Sequence, residues 1–241
     1  MSMVLMTAAG LSHGASSAPL GRGARAVAPV DALLELKGVH THIGAYHILH
    51  GVDLVVPKGQ LTMLLGRNGA GKTTTLRTIM GLWQASKGAV HFAGKDITAL
   101  HTPQIASLNI AYVPENMGIF ADLTVKENML LAARKARNAA QMDAQRLQWI
   151  FKLFPPVETF WNHPAGKLSG GQKQINNMIE AFDQLKKSGV TILLVEQNIH
   201  FAKRLGDTVA VMDNGQVVHA GSMAALAEDE ALQRSLLGLA L

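Results

Sequence analysis

The chain has 241 residues and a formal net charge of +5, and 48% of its residues are hydrophobic, which suits one globular core with an appended subdomain. Its basic residues are scattered and aromatic residues make up only 5%, so nucleic acid is not an expected partner, although the charge suits anionic ligands. The lack of cysteine excludes disulfides and thiolate metal sites, and no apolar run is long enough to span a membrane, so any work at a membrane requires another chain to cross it.

The first thirty residues lack the pattern of a folded element. Residues 1–30 contain no acidic residue, only Arg22 and Arg25 as charged residues, and many Gly, Ala and Ser. A transit or export peptide would also be poor in acids, but here no basic stretch precedes an apolar one. We therefore predict a disordered N-terminal extension over residues 1–30, followed by a folded domain over residues 31–241.

A β-rich segment is predicted to open the folded part. Apolar and polar residues alternate over 33–39 and 51–56, as they do in half-buried strands. Residues 61–65 form a short, continuous apolar run that is typical of a strand buried on both faces of a parallel sheet. This run leads directly into a glycine-rich loop and a predicted helix over residues 72–80.

The remaining elements are read in the same way. Residues 110–113 predict a buried strand, and helical spacing over residues 125–154, interrupted near 137–143, predicts a small helical subdomain over about residues 120–170. Apolar residues at helical spacing through residues 175–185 predict a single helix over 169–187. Further strands are predicted at 89–92, 190–195, 208–212 and 216–219, and two helices at 222–227 and 230–239.

Residues 66–74 read Gly-Arg-Asn-Gly-Ala-Gly-Lys-Thr-Thr and form a complete phosphate-binding loop motif. Its glycines let backbone N–H groups converge on phosphate oxygens at the start of a helix, where unpaired donors and the helix dipole favour anions. Lys72 supplies a positive charge for the terminal phosphates, and the Thr73 hydroxyl can ligate Mg²⁺. The flanking strand and helix supply the context that the motif requires, so the sequence predicts a nucleotide site.

A second motif narrows the class of nucleotide-binding protein. Residues 168–172 read Leu-Ser-Gly-Gly-Gln at the start of a predicted helix, where the backbone amides and Ser169 can cap a second phosphate. This pentapeptide matches the signature of ATP-binding-cassette (ABC) proteins. With both motifs the chain resembles the ATP-binding subunit of a bacterial importer of the branched-chain amino-acid type, from about residue 33 to the C-terminus. Supporting segments lie at 50–52, 112–115, 119–125 and 191–198.

The resemblance implies an α/β fold of the P-loop NTPase type. Its parts would be a parallel sheet core, an N-terminal antiparallel β part and a small helical subdomain over about residues 120–170. It also implies ATP and Mg²⁺ as ligands, membrane permease subunits as partners, and a second ATP-binding subunit, identical or different, in a head-to-tail dimer. The protein would then sit peripherally at the cytoplasmic face of the inner membrane.

Site residues follow from the same resemblance. Glu115 stands where the family usually has a Gln that contacts the metal, and Gln197 stands where a switch His commonly sits, so both are implied as accessory catalytic residues. Thr73 and Glu115 are the implied metal ligands. The implied nucleotide contacts are Gly66, Arg67, Asn68, Gly69, Ala70, Gly71, Lys72, Thr73, Thr74 and Tyr46. The signature residues implied to act on the partner subunit's ATP are Leu168, Ser169, Gly170, Gly171 and Gln172.

Two departures from the family pattern bear on activity. Ile43 stands where an adenine-stacking aromatic residue is expected, which leaves Tyr46 or His42 as substitutes. Between Gln174 and Ile175 a few dozen residues are missing, among them a buried strand ending in Asp-Glu. That Asp would orient Mg²⁺ and that Glu would polarise the attacking water, and none of Glu180, Asp183 and Glu196 is a convincing replacement.

Loss of a positioned general base typically lowers a rate by about 10²- to 10⁴-fold, so ATP hydrolysis is predicted to be impaired while phosphate binding persists. The sequence leaves three alternatives to an ordinary subunit of the branched-chain type: a non-hydrolytic regulatory nucleotide-binding protein, a subunit of a urea or amide importer, and an unstable product of a damaged gene. His40 and His42 share one strand face and can ligate a metal, but packing or surface histidines are the commoner finding.

Overall fold

A computed structural model describes residues 2–6, 31–115, 118–133, 138, 141–167 and 173–237. The chain divides into two compact units, one comprising Met1–Val113 with Leu185–Leu241 and the other Pro114–Gln184. The signature at residues 168–172 lies outside the described residues. Among the residues that are described, no helix combines the length and apolar character needed to cross a bilayer.

A six-stranded mixed sheet forms the centre of the first unit, in the order β10-β9-β4-β8-β1-β7. Strand β4 pairs in parallel with both β8 and β9, and all residues of β4 and β8 are buried, as the continuous apolar runs predict. The strands are β1 (Ser2–Met6), β4 (Leu61–Gly66), β7 (Ile110–Val113), β8 (Thr191–Val195), β9 (Thr208–Asp213) and β10 (Gln216–Ser222).

Strand β1 fills the place between β8 and β7 where the sequence lacks the acid-bearing strand. It runs antiparallel to both neighbours, with Val4 opposite Leu193 on one side and Tyr112 on the other. The prediction of a disordered extension is therefore wrong for residues 2–6, and residues 7–30 lie outside the described part. The two edges expected to face a gap do not pair directly, because this short apolar segment lies between them and supplies partners for both.

A four-stranded antiparallel sheet completes the β structure of the first unit, in the order β3-β2-β5-β6. Its strands are β2 (Ala32–Ile43), β3 (Tyr46–Pro57), β5 (Ala85–Phe92) and β6 (Lys95–Asp96). Strands β2 and β3 are joined by a two-residue turn that includes Gly44, whose positive φ of 59° glycine adopts without strain. Leu34, Val52 and Phe92 are buried in the apolar core of this unit, which also includes residues of β4 and β8.

Helices complete the first unit. They are α1 (Lys72–Ile79), α2 (Thr102–Ser107), α7 (Ile199–Leu205), α8 (Met223–Glu228) and α9 (Glu230–Leu237). The N-cap of α7 is Asn198, whose side chain accepts hydrogen bonds from two first-turn amides, and the N-cap of α8 is Ser222, whose hydroxyl accepts the Ala225 N–H. These caps fix where the chain turns from each strand into the following helix.

The second unit contains α3 (Val125–Ala132), α4 (Ala144–Leu153) and α5 (Pro155–Thr159). Helix α3 starts with a capping box in which Thr124 and Glu127 exchange side-chain and backbone hydrogen bonds. The side-chain amide of Asn128 donates to three backbone carbonyls of the preceding turn, at Phe120, Leu123 and Thr124. This network fixes the loop that enters α3.

Helix α6 (Lys173–Lys187) is continuous through residues 174–176, where the sequence has its missing segment. This confirms the prediction of a single helix across the junction over the described residues. Beyond it, Lys186 Nζ lies 3.0 Å from Asp207 Oδ1, and Asp207 Oδ2 accepts the backbone N–H of Leu61 at 2.7 Å. The end of the fused helix is thereby tied to the start of β4.

Candidate nucleotide-binding site

The glycine-rich loop lies between the C-terminal end of β4 and the N-terminus of α1, as the sequence predicts. Gly71, at the N-cap of α1, has a φ of 102°, and no side chain caps the helix there. The first turn also contains no acidic residue. Backbone N–H groups that lack a capping side chain, at the positive end of a helix dipole, form an anion-binding arrangement.

Lys72 is held inside this loop. Its Nζ donates to the backbone carbonyls of Gly66 and Arg67, both at 2.7 Å, and the residue is only 6% exposed. The dipoles of these two carbonyls offset part of the free-energy cost of burying an ammonium group. They do not neutralise its positive charge, which still attracts a negatively charged ligand. The donor set therefore suits phosphate oxygens.

Close packing requires glycine at one loop position, and a positive φ together with packing favours it at a second. A Cβ at Gly66 would overlap the backbone carbonyl of Met212, and a Cβ at Gly71 would lie 2.9 Å from Leu49 Cδ2. At Gly69, by contrast, a Cβ would meet nothing within 4 Å. The loop is thus packed against β9 and β3 on one side and open at its tip.

The expected donors to Mg²⁺ are only partly present. Thr73 is half-buried at the start of α1, and the exposed Glu115 follows β7 in the other unit. Strand β1, which takes the place of the acid-bearing strand, contains no acidic residue. Of the expected metal donors, the described part of the first unit therefore offers the Thr73 hydroxyl.

Gln197 contacts the loop directly. Its Nε2 donates to Asn68 Oδ1 at 2.6 Å, which joins the segment after β8 to the tip of the phosphate-binding loop. Glu196 is half-buried beside it, and its backbone N–H donates to the Leu64 carbonyl at 3.3 Å. Gln197, at the position expected for a switch residue, therefore contacts the loop through a side-chain amide, which does not titrate.

The turn between β9 and β10 supports the loop from behind. The Gly215 N–H donates to the Ala70 carbonyl at 3.0 Å, and the Gly215 carbonyl accepts the His50 N–H at 2.9 Å. Gly215 has a φ of 75°, and a Cβ there would overlap the Ile48 carbonyl. This glycine therefore joins β3 to the phosphate-binding loop through the backbone alone.

We expect Gly215→Ala to lower the free energy of unfolding by several kcal/mol, because backbone atoms must move to admit the new methyl group. Gly94→Ala is the matched control: Gly94 has the same φ of 75°, but a Cβ there would meet nothing within 4 Å. The control should cost only about 1 kcal/mol, the penalty for a left-handed residue with a side chain. Urea unfolding of both variants measures the two changes in the free energy of unfolding. Equal changes would contradict the proposal that close packing of Gly215 supports the loop.

The expected adenine-stacking position lies at the turn of the β2–β3 hairpin. Tyr46 is 75% exposed there, while Ile43, directly opposite it on β2, is half-buried. The exposed ring of Tyr46 is thus available at the hairpin end, but nothing in the described residues orders it against a base. Its stacking role stays a prediction.

Four histidines cluster beside this turn, two more than the sequence analysis considered. His40 lies opposite His50 and His42 opposite His47, and the His42 and His47 rings stack with centroids 4.2 Å apart. His40 Nδ1 and His47 Nε2 share a hydrogen bond of 3.0 Å. Within the described ranges, no three His, Cys, Asp or Glu side chains are arranged to hold a metal ion. The metal-ligand reading of His40 and His42 therefore gains no support.

The cluster gives stability a pH dependence. Desolvation by its surroundings, followed by the charges of His50, His42 and His40, holds the pKa of His47 below its ordinary value of 6.5. The folded chain then binds fewer protons than the unfolded chain as the pH falls below 6.5, so stability is full above that pH and declines below it. Because His47 is exposed, solvent screens the effect and keeps it small.

We therefore expect the melting temperature to fall between pH 7.5 and 5.5, and His47→Asn to make that fall shallower because it removes the shifted group. Melting curves across this pH range measure the slope. His200→Asn, at an exposed position on α7, should leave the slope as in the parent chain. A slope unchanged by His47→Asn would contradict the assignment.

A buried β-strand, a glycine loop with an internal lysine and an uncapped helix N-terminus define a P-loop nucleotide-binding protein. The family model described as ABC transporter matches residues 49–194. The chain belongs to the ABC transporter family. The family match gives ATP as the nucleotide class, and the fold is that of an ABC ATPase cassette.

Two relatives of the chain within this family are branched-chain amino acid transport ATP-binding proteins. The chain is 32% identical over 237 residues to the high-affinity branched-chain amino acid transport ATP-binding protein BraG of Pseudomonas aeruginosa, covering 86% of this chain and all of the relative. It is also 32% identical over 222 residues to the probable branched-chain amino acid transport ATP-binding protein LivF of Archaeoglobus fulgidus, covering 80% and 93% of the two chains.

Solved structures show the same fold. An ATP-binding cassette of an ABC transporter superposes with a TM-score of 0.69 at 21% identity, covering 86% of this chain and 98% of that one. A dimeric ATP-binding cassette bound to ADP and phosphate superposes with a TM-score of 0.65 at 20% identity, covering 79% and 98%. At these identities the likeness concerns the fold.

The alignment with BraG also bears on the missing segment. It spans 237 positions but uses only 86% of a 241-residue chain, so part of the relative has no counterpart here. The match nevertheless covers all of the relative. This is the pattern expected of a chain that lacks an internal segment.

Proposed function

We propose that this chain is the ATP-binding subunit of an importer for branched-chain amino acids, and that it binds ATP and Mg²⁺ but hydrolyses ATP poorly. The observation that carries the binding part is the loop itself, with the buried Lys72 ammonium beside the uncapped start of α1. The substrate class is supported by two relatives that are named as branched-chain amino acid transport proteins.

The roles of the site residues belong to this proposal. Residues 66–74, with Lys72 among them, bind the phosphates, Thr73 contributes a hydroxyl to Mg²⁺, and Tyr46 offers an exposed ring to the base. Glu115 is proposed as the second protein ligand of the metal, and Gln197 responds to the state of the loop through its hydrogen bond to Asn68. Residues 168–172 contact ATP held by a second subunit, and permease subunits in the membrane receive the resulting motion.

A second candidate function, a non-hydrolytic regulatory nucleotide-binding protein, is favoured by one observation. Strand β1 occupies the position of the acid-bearing strand without bringing any acid. A cassette of this kind would close on ATP and release it slowly, and its output would be the bound state. Both candidates share the same nucleotide site and differ in whether transport occurs.

The test is complementation together with a binding measurement. A bacterial strain lacking its own branched-chain ATP-binding subunit should regain leucine uptake when it expresses this chain with its matching permease, at a rate lowered in proportion to the slow hydrolysis, and urea uptake should not change. Tight ATP binding without uptake would support the regulatory candidate. Urea uptake without leucine uptake would assign the other importer class, and absence of ATP binding by folded protein would overturn both candidates.

A further inference from the structure

We propose that the gap between β7 and β8 is an acceptor site for an extended apolar peptide, and that Ser2–Met6 of the same chain is its occupant. This site has no counterpart in an uninterrupted cassette, where a strand continuous with the core would fill the same place. The acceptor is built by two strands of the first unit that do not contact each other as a pair.

The need for an occupant comes from the backbone of β8. All five of its residues are buried, and one of its edges is already paired with β4. Its other edge would leave buried N–H and C=O groups without partners, which folded proteins avoid. Of the four residues of β7, only Ile110 is buried, so the need for an occupant comes chiefly from the β8 side of the gap.

The fit of the occupant is shown by its register. Ser2–Met6 pairs over its whole length with β8, and four of its residues pair with β7. The segment reads Ser-Met-Val-Leu-Met and contains no charged residue, proline or glycine, so it can donate along both edges and enter an apolar layer. Addition of an extended peptide between two sheet edges is an established mode of recognition.

The direction of β1 distinguishes it from an ordinary core strand. It is antiparallel to β7 and β8, whereas β4, β8 and β9 run parallel to one another. A strand that belonged to the alternating strand–helix succession would have run parallel to β8. Strand β1 is also separated along the chain from β7 by more than a hundred residues, so its pairing is acquired at long range.

Cross-linking tests the assignment in the full-length chain, which has no cysteine of its own. Directly opposed residues of antiparallel strands project to the same face, and a shift of one residue reverses the face. We expect Val4→Cys with Leu193→Cys to form a disulfide under mild oxidation. Val4→Cys with Leu194→Cys should not, although both leucines are equally buried.

The size of the cross-linked product shows whether the strand in the gap comes from the same chain or from a second copy. A cross-linked monomer supports Ser2–Met6 of the same chain, and a cross-linked dimer overturns that assignment in favour of a second copy. Equal cross-linking of the two pairs, or none in either, overturns the register and with it the acceptor site. Non-reducing electrophoresis of protein at low micromolar concentration separates these outcomes.

A strand-breaking variant tests the site without cysteines. Val4→Pro removes a backbone donor in the middle of the occupant, whereas Val4→Ile keeps its strand propensity. We expect amide exchange to accelerate at Leu193 by at least tenfold in the proline variant only. If Val4→Pro fails to fold, a soluble peptide of residues 2–6 flanked by lysines should restore its folding, and the same peptide with proline at Val4 should not.

Protection unchanged by Val4→Pro in folded protein would overturn the proposal. So would a proline variant that fails to fold and is not restored by the peptide. Nucleotide binding does not enter either readout, so failure here is distinguishable from failure of the proposed function.

Discussion

Replacing Lys72 with alanine should weaken ATP binding by about tenfold to a hundredfold. A charge-assisted hydrogen bond contributes about 1.5–3 kcal/mol, and each 1.4 kcal/mol corresponds to a factor of ten in the dissociation constant. Lys72 is buried in the loop, where its ammonium is already aligned by the Gly66 and Arg67 carbonyls. Its charge therefore interacts with phosphate in surroundings that water screens weakly.

Equilibrium titration with a fluorescent ATP analogue measures this change. Lys37→Ala on β2 is the matched control, because it removes the same charge from a side chain that is 61% exposed. The control should change affinity less than twofold, since exposed charges are well screened. Equal loss in both variants would show that the overall positive charge, rather than the loop lysine, attracts the nucleotide.

The phosphate-binding loop could be predicted from the sequence because each of its determinants is local. A buried strand, glycines at fixed positions and a helix start all lie within residues 61–80, so one short stretch of sequence contains the whole motif. The continuous helix α6 was predictable for the same reason, since its apolar spacing passes through the junction. Local sequence patterns were therefore sufficient to predict the phosphate-binding loop and the helix that passes through the junction.

Strand β1 could not be predicted because its structure depends on distant partners. Five residues within a Gly-, Ala- and Ser-rich stretch give little periodicity, and they become a strand only where β7 and β8 offer two open edges.

The histidine cluster could not be predicted for a different reason. Recognition of the two-residue turn after Ile43 would have placed His42 opposite His47, but His40 comes opposite His50 only through a register shift between Thr41 and His42 that the turn does not predict.

The second large effect concerns turnover. We expect the parent chain to hydrolyse ATP about 10²- to 10⁴-fold more slowly than a variant with the acid-bearing segment of a relative inserted between Gln174 and Ile175. Among the described acids of the first unit, Glu196 is the one next to Gln197, and its backbone is held by β4. No acid lies on β1, so the strand in the gap restores pairing without restoring a general base.

The inserted segment must displace β1 to reach its place, because both strands require the gap between β7 and β8. We therefore expect single-turnover ATP hydrolysis to rise in the inserted variant while cleavage near Ser2–Met6 by added protease accelerates. An insert with its Asp-Glu pair changed to Asn-Gln is the matched control, since it should displace β1 equally but leave hydrolysis slow. Fast hydrolysis by the parent chain would contradict the role assigned to the missing acids, and a fast control would show that sheet completion, rather than the carboxylates, limits the rate.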